Sequence, residues 1–362
     1  MTLLASGNPK SILDLPVIIG GTGGAAWWVL EGLIREKIDV KAFIVSNPKY
    51  EAEGICVGYP VWKCNIWKNL PLKQMEYLVV IGVMNPHVDV EAMKSELNAS
   101  GWNNVLNFSE YAKRMLDEKS INVCMLDPKE FRKHRNEFSD LKSKLADSKS
   151  VATLENFTLF IETLDEREFP EITGTPYFPD DIPRWPEELR FIDCGAYDGD
   201  TVREAVGAGY IVKQAFCFEP DPTNFRKLTL NVSDLESVFC LPLGVDEKTV
   251  MKSFSSHQST GSRLVDHGES WIQCVALDDF MAGFEPNLIK MDIEGGELSA
   301  LRGASKLLKR YRPNLAISVY HKTNDIWQIP KLIIETLGPC ELYLRRHSRT
   351  IADTVCYVLP EN

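Results

Sequence analysis

Phe191-Ile192-Asp193-Cys194-Gly195-Ala196-Tyr197-Asp198-Gly199-Asp200-Thr201 reads as an apolar strand that runs into a glycine turn and opens a helix. Open α/β domains build a nucleotide pocket from that sequence of elements. Gly195 and Gly199 have no Cβ, so the backbone turns sharply and a ligand approaches closely. The spacing is Asp-x-Gly-x-x-x-Gly-x-Thr rather than Gly-x-Gly-x-x-Gly, with an acid before the first glycine. A carboxylate at that point repels phosphates and attracts an ammonium or sulfonium, which favours S-adenosylmethionine over NAD. Ala215-Phe216-Cys217-Phe218-Glu219-Pro220 then reads as a second strand ending in an acid, where a ribose diol needs a bidentate acceptor. The plainer reading is that Asp193 only caps the next helix and the glycines only turn the chain.

Outward from this core, strand patterns follow at Val238 to Leu241, Ile272 to Val275, Leu288 to Met291 and Leu315 to Val319. Two late runs, Cys340 to Leu344 and Thr354 to Leu359, are joined by too short a link for a crossover helix and are expected to pair antiparallel. The expectation is a seven-stranded, mostly parallel α/β sheet ending in an antiparallel hairpin. A second, smaller Rossmann-like α/β domain is expected before it. Its strands are Val17 to Ile19, Val40 to Val45, Tyr77 to Ile81 and Val105-Leu106, with helices near Ala25 to Glu36 and Val88 to Asn98. Gly21 to Ala26 matches Gly-x-Gly-x-x-Ala, but the second strand ends in Ser46-Asn47, without the acid that would hold an NAD ribose. Two amphipathic stretches, Phe131 to Leu145 and Leu154 to Leu164, read as connecting helices, and five prolines from Pro170 to Pro186 mark the approach to the second domain. The division expected is 1–115, a connector over 116–187, and 188–362.

The next dense signal is Leu288-Ile289-Lys290-Met291-Asp292-Ile293-Glu294-Gly295-Gly296-Glu297. Ligands of open α/β sheets lie beyond the carboxyl ends of the strands, so Asp292 and Glu294 face the same crevice as Asp193 and Glu219. Two carboxylates one residue apart either bind a divalent cation or take a proton from a hydroxyl. The structural alternative is that Glu294 caps the following helix and Glu297 balances its dipole. His321, in Ser318-Val319-Tyr320-His321-Lys322, stands at another strand end as a candidate general base, although a lone histidine is more often structural. Arg345-Arg346-His347 is either an acceptor-binding surface for an anionic or sugar group or a solvated turn.

A net charge of −11 over 362 residues argues against a broad nucleic-acid or anionic-membrane surface. The nine cysteines form no Cys-x-x-Cys pair, and several lie in apolar runs, as reduced core thiols of a cytoplasmic protein do. No apolar stretch approaches membrane-helix length.

From about Tyr177 to Leu359 the chain resembles the FkbM family of S-adenosylmethionine-dependent methyltransferases. The motifs are Tyr177-Phe178, Asp193-x-Gly195-Ala196-x-x-Gly199-Asp200-Thr201, Phe218-Glu219-Pro220-x-Pro222-x-Asn224-Phe225, Leu277-Asp278-Asp279, Ile289 through Glu297, and Tyr320-His321. Gly296 departs from the alanine common there. The resemblance implies O-methylation of a hydroxyl on a sugar, glycan or polyketide-like acceptor. It places Asp193, Gly195, Ala196, Gly199, Thr201, Glu219 and Asn224 around the cofactor and Asp292, Glu294 and His321 at the transferred methyl. Asp292 and Glu294 are the ligands if a divalent cation takes part. Residues 1 to 115 fall outside it and are similar to small nucleotide- or sugar-binding Rossmann domains. Their alternatives are an NAD-dependent nucleotide-sugar reductase fused to the methyltransferase, a non-catalytic acceptor-binding module, or a dimerisation unit.

Overall fold

Short apolar runs with no polar break leave the two central strands of the first unit no solvated face, and Val17–Gly20 (β1) and Leu78–Ile81 (β5) are buried at every residue. Such continuous burial is the mark of a parallel sheet covered on both sides. The computed structural model describes residues 11–22, 24–45, 55–56, 58–63, 74–83, 88–119, 128–163, 174–255, 263–264, 270–348, 351 and 353–361. Gly23, Ser46-Asn47 and Pro170 lie outside them. The chain divides into two compact units: Met1–Asp127 with Glu162–Glu168, and Pro128–Ile161 with Phe169–Asn362.

The first unit adds Val40–Val45 (β2), Ile55–Cys56 (β3), Tyr59–Lys63 (β4) and Val105–Asn107 (β6), in the sheet order β3-β4-β2-β1-β5-β6. β4, β2, β1, β5 and β6 run parallel and β3 pairs antiparallel to β4. The helices Gly24–Arg35 (α1) and Val90–Ala99 (α2) provide crossovers, and Phe108–Lys119 (α3) follows β6, its Tyr111 hydroxyl donating to the Val29 carbonyl of α1. Gly82 follows β5, where a Cβ would press on the Ala26 backbone, so α1 lies hard against the strand ends.

The second unit opens with Pro128–Lys133 (α4), Arg135–Lys142 (α5) and Ser148–Thr163 (α6). These are the amphipathic stretches expected as a connector. Leu145 bridges Leu342, and the Ala146 N–H donates to the Leu342 carbonyl, which ties the segment to the terminal hairpin. The sheet is built from Glu188–Cys194 (β7), Ile211–Phe218 (β8), Val238–Leu241 (β9), Leu288–Met291 (β14), Asn314–Ser318 (β15), Cys340–Arg346 (β16) and Thr354–Pro360 (β17). Its order is β16-β17-β15-β14-β7-β8-β9. β9, β8, β7, β14 and β15 are parallel, β17 is antiparallel to β15, and β16 pairs antiparallel with β17 as the short link requires. The strand order reverses direction at β7, so the crevice opens at its carboxyl end.

One expected strand leaves this sheet. Ser270–Val275 (β13) joins Gly244–Val245 (β10), Val250–Ser255 (β11) and Arg263–Leu264 (β12) in a separate four-stranded sheet, antiparallel to β11 over five residue pairs. Its alternation is the reason. Trp271 and Gln273 face out while Ile272 and Cys274 are buried, and a half-solvated strand does not belong inside a covered parallel sheet.

Arg345 of β16 is 2% exposed and holds the hairpin to the helical segment. Its Nε donates to Asp181 Oδ2 (2.7 Å), its Nη2 to Asp147 Oδ2 (2.7 Å) and its Nη1 to Ser150 Oγ (2.9 Å). Arg345→Met removes the guanidinium from both aspartates, leaving Asp181 with Lys149 and Asp147 with Ser150. It is predicted to destabilise the second unit by about 3 kcal/mol, at the low end for a broken buried pair because both aspartates keep some water. Urea unfolding followed by circular dichroism measures the loss.

Candidate functional site

Asp193 and Lys290 occupy directly opposed positions on the adjacent parallel strands β7 and β14. Both are buried, and Lys290 Nζ lies 3.1 Å from Asp193 Oδ1 and donates to the Gly195 carbonyl at 2.6 Å. Tyr177 covers the ammonium with its ring, 5.0 Å away. Burial pushes the Asp193 carboxyl up to about 6, against the pull of Lys290. Burial also opposes the lysine's charge, but Asp193, Asp292 and Asp200 hold it firmly protonated. The sequence reading put a ligand's cation beside Asp193. An ammonium is there, but it belongs to Lys290.

The glycine turn is equally committed to the fold. The Gly195 and Ala196 N–H groups donate to the Phe218 carbonyl, and Asp292 N–H donates to the Cys194 carbonyl. Gly195 has φ +78°, and a Cβ on it would collide with the Asp292 carbonyl oxygen. Gly199 caps Asp200–Gly207 (α7) in a left-handed conformation, while the Thr201 N–H and hydroxyl meet Asp200 Oδ1. These residues shape the cradle with their backbone, and their polar atoms are engaged within the protein.

Glu219, just past β8, is the acid at this end of the crevice. Its Oε2 accepts the Tyr197 N–H (2.9 Å) and its Oε1 the Asp221 N–H (2.8 Å). Each oxygen keeps a further lone pair. Burial pushes this carboxyl up to about 7 despite both donors. Asp221 caps Pro222–Asn231 (α8) through the N–H groups of Thr223 and Asn224, and Asn224 is half-buried.

The remaining candidates gather at the ends of β14 and β15. The Tyr177 hydroxyl donates to Asp292 Oδ2 at 2.7 Å. His321 Nε2 lies 3.3 Å from Asp292 Oδ1 and 3.7 Å from Glu294 Oε2, and Nδ1 lies 3.0 Å from Glu297 Oε1. Glu297 is fully buried and also accepts the Ile293 N–H at 2.8 Å. Burial disfavours charge on His321, but Glu297, Asp292 and Glu294 push it up to about 10. Burial works against Asp292 too, yet His321, Lys290 and Tyr177 hold it below the usual carboxylate range. Asp325, raised to about 7 by burial and by Glu297, and Asp353, raised to about 6 by burial and by Asp292, complete an acidic surround. Glu294 is somewhat more open than Asp292, 30% against 23% exposed at the side chain, and its backbone sits at φ +56°, a left-handed conformation costly for a residue with a Cβ and common at functional turns.

His321 therefore is ill placed as a general base: its ring is enclosed and both nitrogens face carboxylates. Arg345-Arg346-His347 does not act as an acceptor surface of three free side chains. Arg345 is engaged as above, Arg346 Nη1 donates to the Ser348 carbonyl, and buried His347, pushed down to about 4, lies 2.7 Å from the Tyr357 hydroxyl through Nε2. The sequence reading assigned no role to Lys290, Asp325 or Asp353 and gave Glu297 only that of balancing a helix dipole. A lysine inside the otherwise apolar Leu288–Met291 run was the available signal for the first.

Residues 193–347 match the family model of the Methyltransferase FkbM domain. Over 128 residues the chain is 32% identical to hexuronic acid methyltransferase AglP of Haloferax volcanii, covering 33% of this chain and 52% of that protein. The chain thus spans about half the length of the curated relative it matches. The crystal structure of methyltransferase FkbM from Methylobacillus flagellatus KT superposes with a TM-score of 0.72 over 95% of this chain and 90% of that one, at 22% identity, and shares the fold. The second unit carries an FkbM methyltransferase domain.

Lys290→Met leaves Asp193 buried without its counterion and is predicted to cost roughly 3–5 kcal/mol, most of which Asp193→Asn/Lys290→Met recovers. Urea unfolding of both variants checks this; a double variant no more stable than the single contradicts the pairing.

Proposed function

We propose, from the FkbM methyltransferase domain and the geometry of its crevice, that the chain transfers a methyl group from S-adenosylmethionine to a hydroxyl of a sugar. The observation that carries this reading is Glu219: a buried acid past β8, beside the glycine turn of β7, with a lone pair left on each oxygen. That donor set fits a ribose diol, and the cradle past β7 admits a close approach. When bound, the cofactor supplies an activated sulfonium methyl. Glu219 holds the ribose, and the turn from Gly195 to Gly199 shapes the wall. Tyr177, Lys290 and His321 fix Asp292 at the far side, and alignment of this kind is worth on the order of 7–11 kcal/mol in well-oriented reactions. Glu294, the more exposed of the two carboxylates past β14 and held at a left-handed turn, takes the proton of the acceptor hydroxyl. The relative that acts on a hexuronic acid supports a sugar acceptor.

Two outcomes test this reading. Only ionised Glu219 accepts both ribose hydroxyl protons. With its carboxyl at about 7, affinity for S-adenosylhomocysteine should rise about tenfold from pH 6 to pH 8 and then level. Calorimetric titration across that range, with Glu219→Gln flattening the profile and weakening binding, measures it. With radiolabelled methyl donor and a panel of hexoses and hexuronic acids, the product should be a methyl ether. Glu294→Gln should lower turnover by roughly 10²–10⁴-fold while cofactor affinity holds. Full turnover in that variant would remove Glu294 as the base.

A further inference from the structure

We propose that Asp292, Glu297 and His321 form a binding site for a divalent cation, next to the crevice and distinct from Glu219. Each of the carboxylates engages one oxygen in holding the fold and keeps the other unspent. Asp292 Oδ2 accepts the Tyr177 hydroxyl, and Glu297 Oε1 accepts the Ile293 N–H. Asp292 Oδ1 and Glu297 Oε2 are buried without a hydrogen-bond partner, and both His321 ring nitrogens lie in ion-pair range of carboxylates without hydrogen-bond alignment. His321 is 4% exposed and Glu297 fully buried, so water does not serve these atoms from the surface.

One ligand-type atom from each residue lies within 4.8 Å of the other two. Ligands at about 2.1 Å from a common ion and at right angles stand about 3 Å apart; the carboxylates meet different ring nitrogens, Glu297 Oε1 at 3.0 Å from Nδ1 and Asp292 Oδ1 at 3.3 Å from Nε2, so an ion takes one nitrogen and draws in the other carboxylate from within the 4.8 Å span. The scaffold is firm: Met291, at the end of β14, pairs with Ile317 of β15, and Asp292 N–H is tied to β7. Two carboxylate oxygens and one imidazole nitrogen suit Mn²⁺, Fe²⁺ or Zn²⁺ better than the all-oxygen preference of Ca²⁺. A cation here would balance a cluster to which Asp325, Asp353 and Glu294 add further acid. The competing occupant is a proton, with doubly protonated His321 ion-paired to both carboxylates and no metal bound.

Titration of the metal-stripped chain with Mn²⁺, followed by electron paramagnetic resonance, separates the two. The expected result is one Mn²⁺ per chain, with pulsed spectra showing nitrogen coupling from a single imidazole. His321→Gln and Glu297→Gln, checked for folding by circular dichroism, should weaken it roughly 10–100-fold. No stoichiometric binding, a bound ion without nitrogen coupling, or unchanged affinity in folded His321→Gln would overturn the site. The nitrogen signal is read on the unmutated chain, so the test survives a variant that fails to fold. None of these readouts depends on methyl transfer or on S-adenosylmethionine.

Discussion

The ion pair between Asp193 and Lys290 is the constraint on which the rest of the second unit depends. Two charges opposed across adjacent central strands are costly to bury, and they are tolerated only in one alignment. A slip of one residue between β7 and β14 would place the two charges on opposite faces of the sheet. The register that satisfies the pair is also the one that brings the Gly195 turn against the Asp292 carbonyl, where only glycine fits. Lys290 extends the pair to that turn through the Gly195 carbonyl and to the far wall through the Tyr177 ring. One buried ammonium thus sets the relative positions of three segments that frame the crevice.

Around this fixed centre the acids separate by environment. Glu219 is met by two backbone donors and, among the described residues, by no side-chain cation within hydrogen-bonding distance, so burial keeps its carboxyl titrating near neutrality. Asp292 and Glu297 share His321. Glu294, at a left-handed turn, keeps its exposure. In the proposed reaction these carboxylates, with such different surroundings on neighbouring strand ends, divide into binding, positioning and proton-accepting roles, as tuned acids do in general.

The fold was legible where the sequence marks both ends of an element. Phe191 to Asp193 and Leu288 to Met291 are apolar runs closed by an acid or glycine, and the short link before Thr354 forces the antiparallel hairpin. Ile272 to Val275 misled because a short apolar run does not reveal which sheet receives it; the outward Trp271 and Gln273 were the available evidence. At the site, Glu219, Asp292 and Glu294 could be placed from strand ends alone. Asp193, His321 and Arg345 could not, because their chemistry is decided by partners remote in sequence: Lys290, Glu297, and Asp147 with Asp181. A residue type at a strand end gives its position in the crevice, and only the pairing shows whether its charge is still free to act.

The central claim is that the crevice past β7 and β8 is an adenosyl site. The most direct test is calorimetric titration of the intact chain with S-adenosylhomocysteine and, in a separate run, with NADH. The account predicts one molecule of S-adenosylhomocysteine per chain, still bound at full stoichiometry when NADH is present in excess. Binding of NADH with no binding of S-adenosylhomocysteine would contradict it and move the chemistry away from Glu219.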